Sequence, residues 1–241
     1  MKKNYRLLAF DLDGTLTRSL SPIEAQNHAL LCRLHQKYRI AVFSAGTCRR
    51  IHEQLNGYPI DVIGNYGMER AEYNTHSNRL EIVERAHVKC DKERIEAAVL
   101  ALRQRFGLEH YVGDGVRYHP SGMASIALLG TGAGSADKHR FDPDGKRRSE
   151  MLPTVRALFP DHTVFVAGTA SLDIVPPPYN KLYALDRYCE SHGLGRDDVL
   201  FCGNEYQKGG NDEQVFRSDV DFIKVDDYRL LPDLLSFLLK D

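Results

Sequence analysis

Two carboxylates stand two residues apart in Phe10-Asp11-Leu12-Asp13-Gly14-Thr15, directly behind the apolar run Leu7-Leu8-Ala9-Phe10. Carboxylates this close resist joint ionisation unless a cation compensates them. Other polar groups also follow apolar runs: Ser44 comes after residues 40–43, and Asn204 and Glu205 come after residues 199–203. Lys181 lies just beyond Pro176-Pro177-Pro178, and Asp212 closes the segment Gly209-Gly210-Asn211-Asp212. Carboxylates, a hydroxyl and a lysine meeting at one edge would suit phosphoryl transfer. Asp11 would attack phosphorus and carry it as an aspartyl-phosphate, splitting one displacement into two. Asp13 would protonate the leaving oxygen and later deprotonate water. Lys181 and a metal would offset the charge on the transferring group, and Ser44 would hydrogen-bond one of its oxygens. Oxygen donors with no His or Cys among them point to Mg2+.

These groups can meet only if the apolar runs are strands of one parallel sheet, where ligands bind beyond the carboxyl ends of the strands. Residues 7–10, 40–43 and 61–64 read as such buried strands. Ser21-Pro22-Ile23-Glu24 has the composition of a capping box, which predicts a helix from there to about Tyr38. A second helix is expected over residues 47–55. The pattern changes after about Arg70: strands near 79–85, 111–118, 123–129 and 163–166 alternate with helices near 91–106 and 147–159, as in an antiparallel sheet carrying helices. After the prolines the strand-and-helix alternation returns, with a helix over 180–192, strands over 199–203 and 221–225, and a closing helix over 228–239. The fold class is α/β: a doubly wound, Rossmann-like parallel-sheet core formed by residues 1–70 and 176–241, with an α/β cap inserted over residues 71–175. Gly130-Thr131-Gly132-Ala133-Gly134 resembles a phosphate loop only superficially. It closes no βαβ unit and lacks a following Lys-Ser/Thr, so it reads as a turn.

A formal net charge of −1 gives no global reason to bind nucleic acid or an anionic membrane. Lys146-Arg147-Arg148 reads as a solvated helix face. The cysteines at 32, 48, 90, 189 and 202 are odd in number and show no CxxC spacing, which suits a reducing compartment. Cys48 reads as an inert residue at a helix start. The apolar stretch before Asp11 is too short for a signal peptide, so a soluble cytoplasmic protein is expected, as monomer or homodimer.

Asp11-Leu12-Asp13-Gly14-Thr15, followed in order by Ser44, Lys181 and a glycine-rich acidic loop, resembles the haloacid dehalogenase superfamily. The long insertion between Ser44 and Lys181 resembles its type IIB cap, found in phosphomannomutase-like, trehalose-phosphatase-like and Cof-type proteins. Gly122-Met123, Ser171-Leu172-Asp173-Ile174-Val175-Pro176, Asn180-Lys181 and Gly209-Gly210-Asn211-Asp212 fall in the order seen in phosphomannomutases, and Asn65-Tyr66-Gly67 resembles the Asn-Gly segment that precedes their cap. The resemblance covers essentially the whole chain. It implies Asp11 as nucleophile and metal ligand, Asp13 as acid/base and metal ligand through its carbonyl, and Ser44 and Lys181 as phosphoryl-binding groups. Asn204 and Asp212 would complete the metal site. Gly46, Asp173 and Asn211 would contact substrate, although Asp173 also suits an edge-strand turn.

Two departures from the family pattern bear on activity. Asn204 stands where an aspartate is usual, so the metal site is one charge short, with Asp212 and Glu205 placed to compensate. Cap arginines that grip a second phosphate in phosphomannomutases are Gly113, Pro120 and Thr131 here, and a further one after the first motif is Leu20; Arg18, Arg117 and His119 lie nearby. A mutase needs that second grip, whereas a phosphatase needs only water. The expectation is therefore a Mg2+-dependent phosphatase of a small phosphorylated metabolite, a sugar phosphate by preference, with the cap closing over it. A phosphohexomutase and a silent phosphosugar-binding protein are the alternatives.

Overall fold

Every residue of β1 (Leu7–Phe10) is buried, and its side chains feed two different cores. Leu8 and Phe10 pack with Leu30, Leu31 and Leu34 of helix α1 (Ala25–Leu34) and with Ile51 of α2 (Cys48–Gln54). Leu7 and Ala9 point the other way, toward Ala184, Leu185 and Tyr188 of α6 (Lys181–Ser191). A strand buried on both faces needs no polar alternation, which is why it reads as an unbroken apolar run. The computed structural model describes residues 3–240.

The chain divides into two compact units. The first runs to Ala86 and resumes over Asn180–Gln207 and from Asp212. Its seven-stranded sheet has the order β11-β10-β1-β2-β3-β4-β5, with β2 at Arg39–Phe43, β3 at Asp61–Gly64, β4 at Glu69–Asn74, β5 at Arg79–Arg85, β10 at Val199–Gly203 and β11 at Asp221–Lys224. The five strands from β11 to β3 are parallel, and β4 and β5 add an antiparallel hairpin at one edge. The chain runs outward from β1 to β2 and β3 on one side and from β10 to β11 on the other. The order therefore switches between β1 and β10, the position where doubly wound sheets bind ligands.

The second unit comprises His87–Tyr179 and Lys208–Asn211. It is built on an antiparallel sheet of order β6-β7-β9-β8, with β6 at Val116–Tyr118, β7 at Ala124–Ala127, β8 at Thr163–Ala167 and β9 at Ser171–Val175. Helices α3 (Lys92–Phe106) and α5 (Lys146–Leu158) cover one face of it, burying Ile95, Val99, Leu102, Met151 and Val155 against Ile126, Leu172 and Ile174. Asp91 caps α3 by accepting the Arg94 N–H, and Gly107, at φ 65°, ends the helix in the left-handed region.

Several expected elements differ. Residues 79–85 do form a strand, but it is the last strand of the core sheet, so the division falls after Ala86 and not after Arg70. Ser21 caps nothing. Its hydroxyl donates to the Ser19 carbonyl, while the Ile23 N–H donates to the Gln54 carbonyl, so this stretch stays extended and α1 starts only after Glu24. The closing helix is broken into short turns around α8 (Leu231–Leu234). β4, β9 and the short α4 (Ser135–Phe141) were not expected, although Ser171-Leu172-Asp173-Ile174 in β9 does alternate polar and apolar. The glycine segment 130–134 is a turn after β7, whose strand partners are antiparallel.

Candidate active site

Asp11 directly follows β1, and its main-chain N–H donates to the Cys202 carbonyl of neighbouring β10. Leu12 O then collects the N–H groups of Thr15, Leu16 and Thr17, which folds the chain into a tight loop. Gly14 sits at φ 93°, and a β-carbon there would stand 2.4 Å from Asn204 Nδ2. A residue with a side chain would thus be strained and would collide with the loop after β10. Thr15 is fully buried, and its hydroxyl donates to Asn204 Oδ1 at 3.2 Å.

Lys181 is the first residue of α6, whose cap Asn180 accepts the Tyr183 N–H. Its ammonium lies between two carboxylates, 2.5 Å from Asp11 Oδ1 and 2.7 Å from Asp212 Oδ1. All three side chains are within about a twentieth of full burial. Asp212 reaches this position across Gly203, where a β-carbon would come within 2.5 Å of its Oδ2, and that oxygen accepts the Glu205 N–H. Burial pushes the Asp11 carboxyl up to about 7; Lys181 pulls it down, and Asp212 and Asp13 push it up again. Burial lowers Lys181, but the two carboxylates more than offset this and hold it above the ordinary ammonium range. The cluster carries one cation for two carboxylates. Asp11 Oδ2 is buried with no hydrogen-bond partner, a costly state for a carboxylate oxygen.

Ser44 follows β2 and is buried; its N–H donates to the Ile63 carbonyl and its Oγ accepts the Gly46 N–H at 3.4 Å. The loop is braced from beneath by Gly64, where a β-carbon would lie 2.6 Å from the Gly46 carbonyl. Asn65, Tyr66 and Gly67 all have positive φ and lead the chain away from the loop. Cys48 opens α2, donating its N–H to Glu69 Oε2 and its thiol to the Val62 and Glu69 carbonyls. Burial drives its thiol well above the ordinary range, so it is inert.

Asp13 is held from three sides. Its Oδ1 accepts the Leu20 N–H at 2.7 Å and Gln54 Nε2 at 2.9 Å, and its Oδ2 accepts Arg50 Nη2 at 3.0 Å. Burial works against ionisation, but Arg50, Gln54 and Leu20 together lower this carboxyl below its ordinary value. Neither Arg50 nor Gln54 was an expected site residue. Their one sequence signal is placement on the helix that follows Ser44, with Arg50 four residues after Gly46.

The structure therefore brings Asp11, Lys181 and Asp212 into direct contact, Asn204 beside them through Thr15, and Asp13 toward Ser44 through Arg50. Asp173 and Asn211 belong to the second unit. Asp173 lies on β9, an interior strand between β7 and β8, and so is not an edge-strand turn residue. It is buried and pairs in register with Ser125 and Phe165, while Arg117 pairs with Ser125 from the far side. His119 Nε2 lies 3.1 Å from Ser125 Oγ. Asn211 Oδ1 is buried without a partner.

The family model of eukaryotic phosphomannomutases matches residues 27–224. The chain belongs to that family. With it the chain belongs to the haloacid dehalogenase superfamily. The phosphomannomutase of Schizosaccharomyces pombe is 26% identical over 227 residues, covering 87% of this chain and 84% of that one. The phosphomannomutase of Babesia bovis is 28% identical over 249 residues, covering 97% and 98%. Among solved structures, an IMP-bound IMP-nucleotidase of Plasmodium falciparum superposes with a TM-score of 0.74 at 14% identity, covering 98% of this chain and 68% of that one. That likeness shows the shared fold.

These findings overturn the phosphatase expected from the sequence: the relatives are phosphomannomutases, and so is the matched family. The expectation rested on Gly113, Pro120, Thr131 and Leu20 standing where arginines were sought. Such positions show where a cation does not originate, not whether the unit supplies one. Arg117 is present on the same sheet as Asp173.

A divalent cation is compatible with the residues present. Asp11 Oδ2 lacks a protein donor, and a carboxylate oxygen is a hard donor of the kind magnesium takes. No three His, Cys, Asp or Glu side chains among the described residues are grouped as ligands. A bound ion would therefore take part of its shell from amide, main-chain and water oxygens. Among the described residues no helix is long and apolar enough to cross a membrane.

Proposed function

We propose that this protein is a phosphohexomutase that moves a phosphoryl group between two hydroxyls of a phosphorylated hexose, with mannose, the sugar in its relatives' name, as the hexose. The observation that carries the reading is the buried Asp11–Lys181–Asp212 cluster at the switch point of a phosphomannomutase-family sheet.

Asp11 attacks phosphorus; its bond to phosphorus forms as the phosphorus–oxygen bond to the sugar breaks, and the departing oxygen takes a proton from Asp13. In the return step a different sugar hydroxyl attacks the aspartyl-phosphate, gives its proton to Asp13 and releases the Asp11 carboxylate. Lys181 holds Asp11 in place and offsets charge on the transferring group. Ser44 and the Gly46 N–H border the space for the phosphoryl oxygens. Magnesium would be held by Asp11, the Asp13 carbonyl, Asn204 and Asp212, and when bound it neutralises charge on the phosphoryl group. Because Asn204 is neutral, the affinity for magnesium is lower than three carboxylates would give. On the second unit, Arg117, Ser125 and Asp173 form a row across the sheet, beside His119; these groups suit sugar hydroxyls and a distal phosphate.

Incubation with mannose 1-phosphate, a hexose bisphosphate and Mg2+ tests the proposal. Mannose 6-phosphate should form, only with the bisphosphate present, and Asp11→Asn should abolish it. No isomerisation under these conditions would sink the reading.

A further inference from the structure

Arg50 bridges the loop after β1, which carries Asp13, and the loop after β2, which carries Ser44. Its Nη2 lies 3.0 Å from Asp13 Oδ2 and 3.5 Å from Ser44 Oγ, while its Nη1 is braced by Gln54 Oε1 at 2.8 Å. The guanidinium reaches this point by passing over Gly46, where a β-carbon would stand 2.2 Å from Nη2. Any side chain at 46 would push it away.

We propose that Arg50 is a phosphate-operated latch on Asp13. Without a phosphoryl group the guanidinium pins the Asp13 carboxylate. With one bound beside Ser44, Arg50 turns to the phosphoryl oxygens and frees Asp13 Oδ2 for proton transfer. This deepens the mutase reading and rests on it.

Three features carry the exchange. Asp13 Oδ1 already accepts two hydrogen bonds, so Oδ2 is the oxygen left to serve a sugar oxygen, and there the Arg50 guanidinium stands 3.0 Å away. Among the described residues Arg50 supplies its ion pair; Gln54 and the Leu20 N–H share the other oxygen and would keep the side chain in place after Arg50 leaves. Finally, the guanidinium is a third exposed and already at the edge of the Ser44 loop, and its planar fork matches a phosphoryl group better than a lone carboxylate oxygen.

The latch ties the readiness of Asp13 to occupancy of the phosphoryl space. A phosphoryl group beside Ser44, on the sugar or on Asp11, is what draws Arg50 away, and Asp13 is held whenever that space is empty.

Arg50→Gln and Arg50→Lys test the proposal, with Gly46→Ala as a variant that keeps Arg50 in the chain but displaces it. The readouts are the affinity for inorganic phosphate, by calorimetric titration, and the carboxyl 13C resonance of Asp13 as phosphate is added. Loss of a charge-assisted contact should weaken phosphate binding by about tenfold to a hundredfold in Arg50→Gln and less in Arg50→Lys. Phosphate should move the Asp13 resonance in the parent and much less in Arg50→Gln and Gly46→Ala, where Arg50 no longer holds Asp13 beforehand, and thermal melting near that of the parent separates the effect from damage to α2. Unchanged phosphate affinity in Arg50→Gln, or an Asp13 resonance that phosphate moves equally in all three proteins, overturns the latch. If the parent protein isomerises nothing, the mutase reading falls by itself, and the phosphate titration still decides whether Arg50 grips phosphate.

Discussion

Replacing Lys181 by Met keeps the length of the side chain and removes its charge. The variant leaves two buried carboxylates, Asp11 and Asp212, that had shared one ammonium at 2.5 and 2.7 Å. Breaking a buried ion pair from one side costs about 3–5 kcal/mol, because the partner stays buried and uncompensated. For a chain of this size that corresponds to a fall in melting temperature of roughly 6–20 °C. The loss should depend on pH in a definite direction. Burial already holds the Asp11 carboxyl at about 7 in the parent, above its value of about 3.9 in an unfolded chain. Lys181 pulls it down, so the variant carries it higher still. A group whose pKa is raised by folding stabilises the fold below its unfolded value and loses that contribution as pH rises through its folded value. The deficit of Lys181→Met should accordingly be large at pH 8 and shrink toward pH 5. Differential scanning calorimetry in metal-free buffer at both pH values measures it. Equal melting temperatures for variant and parent at pH 8, or a deficit that grows on acidification, would refute the account of the cluster.

Asn204→Asp adds a carboxylate where the chain after β10 meets Thr15 and should tighten magnesium by about tenfold in a calorimetric titration; an unchanged Kd would remove Asn204 from the metal site. In the second unit, the buried Arg103 guanidinium donates to the carbonyls of Leu108, Ala127 and Leu128, so Arg103→Met should cost about 2–4 kcal/mol and speed amide exchange in β7 and α3. Unaltered protection there would show that these three carbonyls find other donors.

Much of the core sheet was legible because its strands are locally unambiguous. Residues buried on both faces must be apolar without interruption, and the acidic loop after β1 sits where doubly wound sheets place their chemistry. The Ser21 capping signal misled because capping is decided by competing partners: the Gln54 carbonyl holds Ile23, far along the chain. The strand at residues 79–85 was assigned to the insertion because alternation shows that a strand exists but not which sheet receives it, and its partner β4 was not expected. Phosphate release was expected because arginines were sought at aligned positions, whereas the family match spans residues 27–224.

The sequence by itself determined the fold class, the nucleophile candidate and the order in which the site residues arrive, since all of these are written in short runs and local periodicity. Tertiary structure decided which groups touch. Lys181 meets an aspartate 170 positions before it and another 31 positions after it. Arg50 reaches Asp13 only because Gly46 lacks a side chain. Contacts of this kind depend on side-chain direction and on what the intervening residues leave open, and neither is a property of any short stretch of sequence.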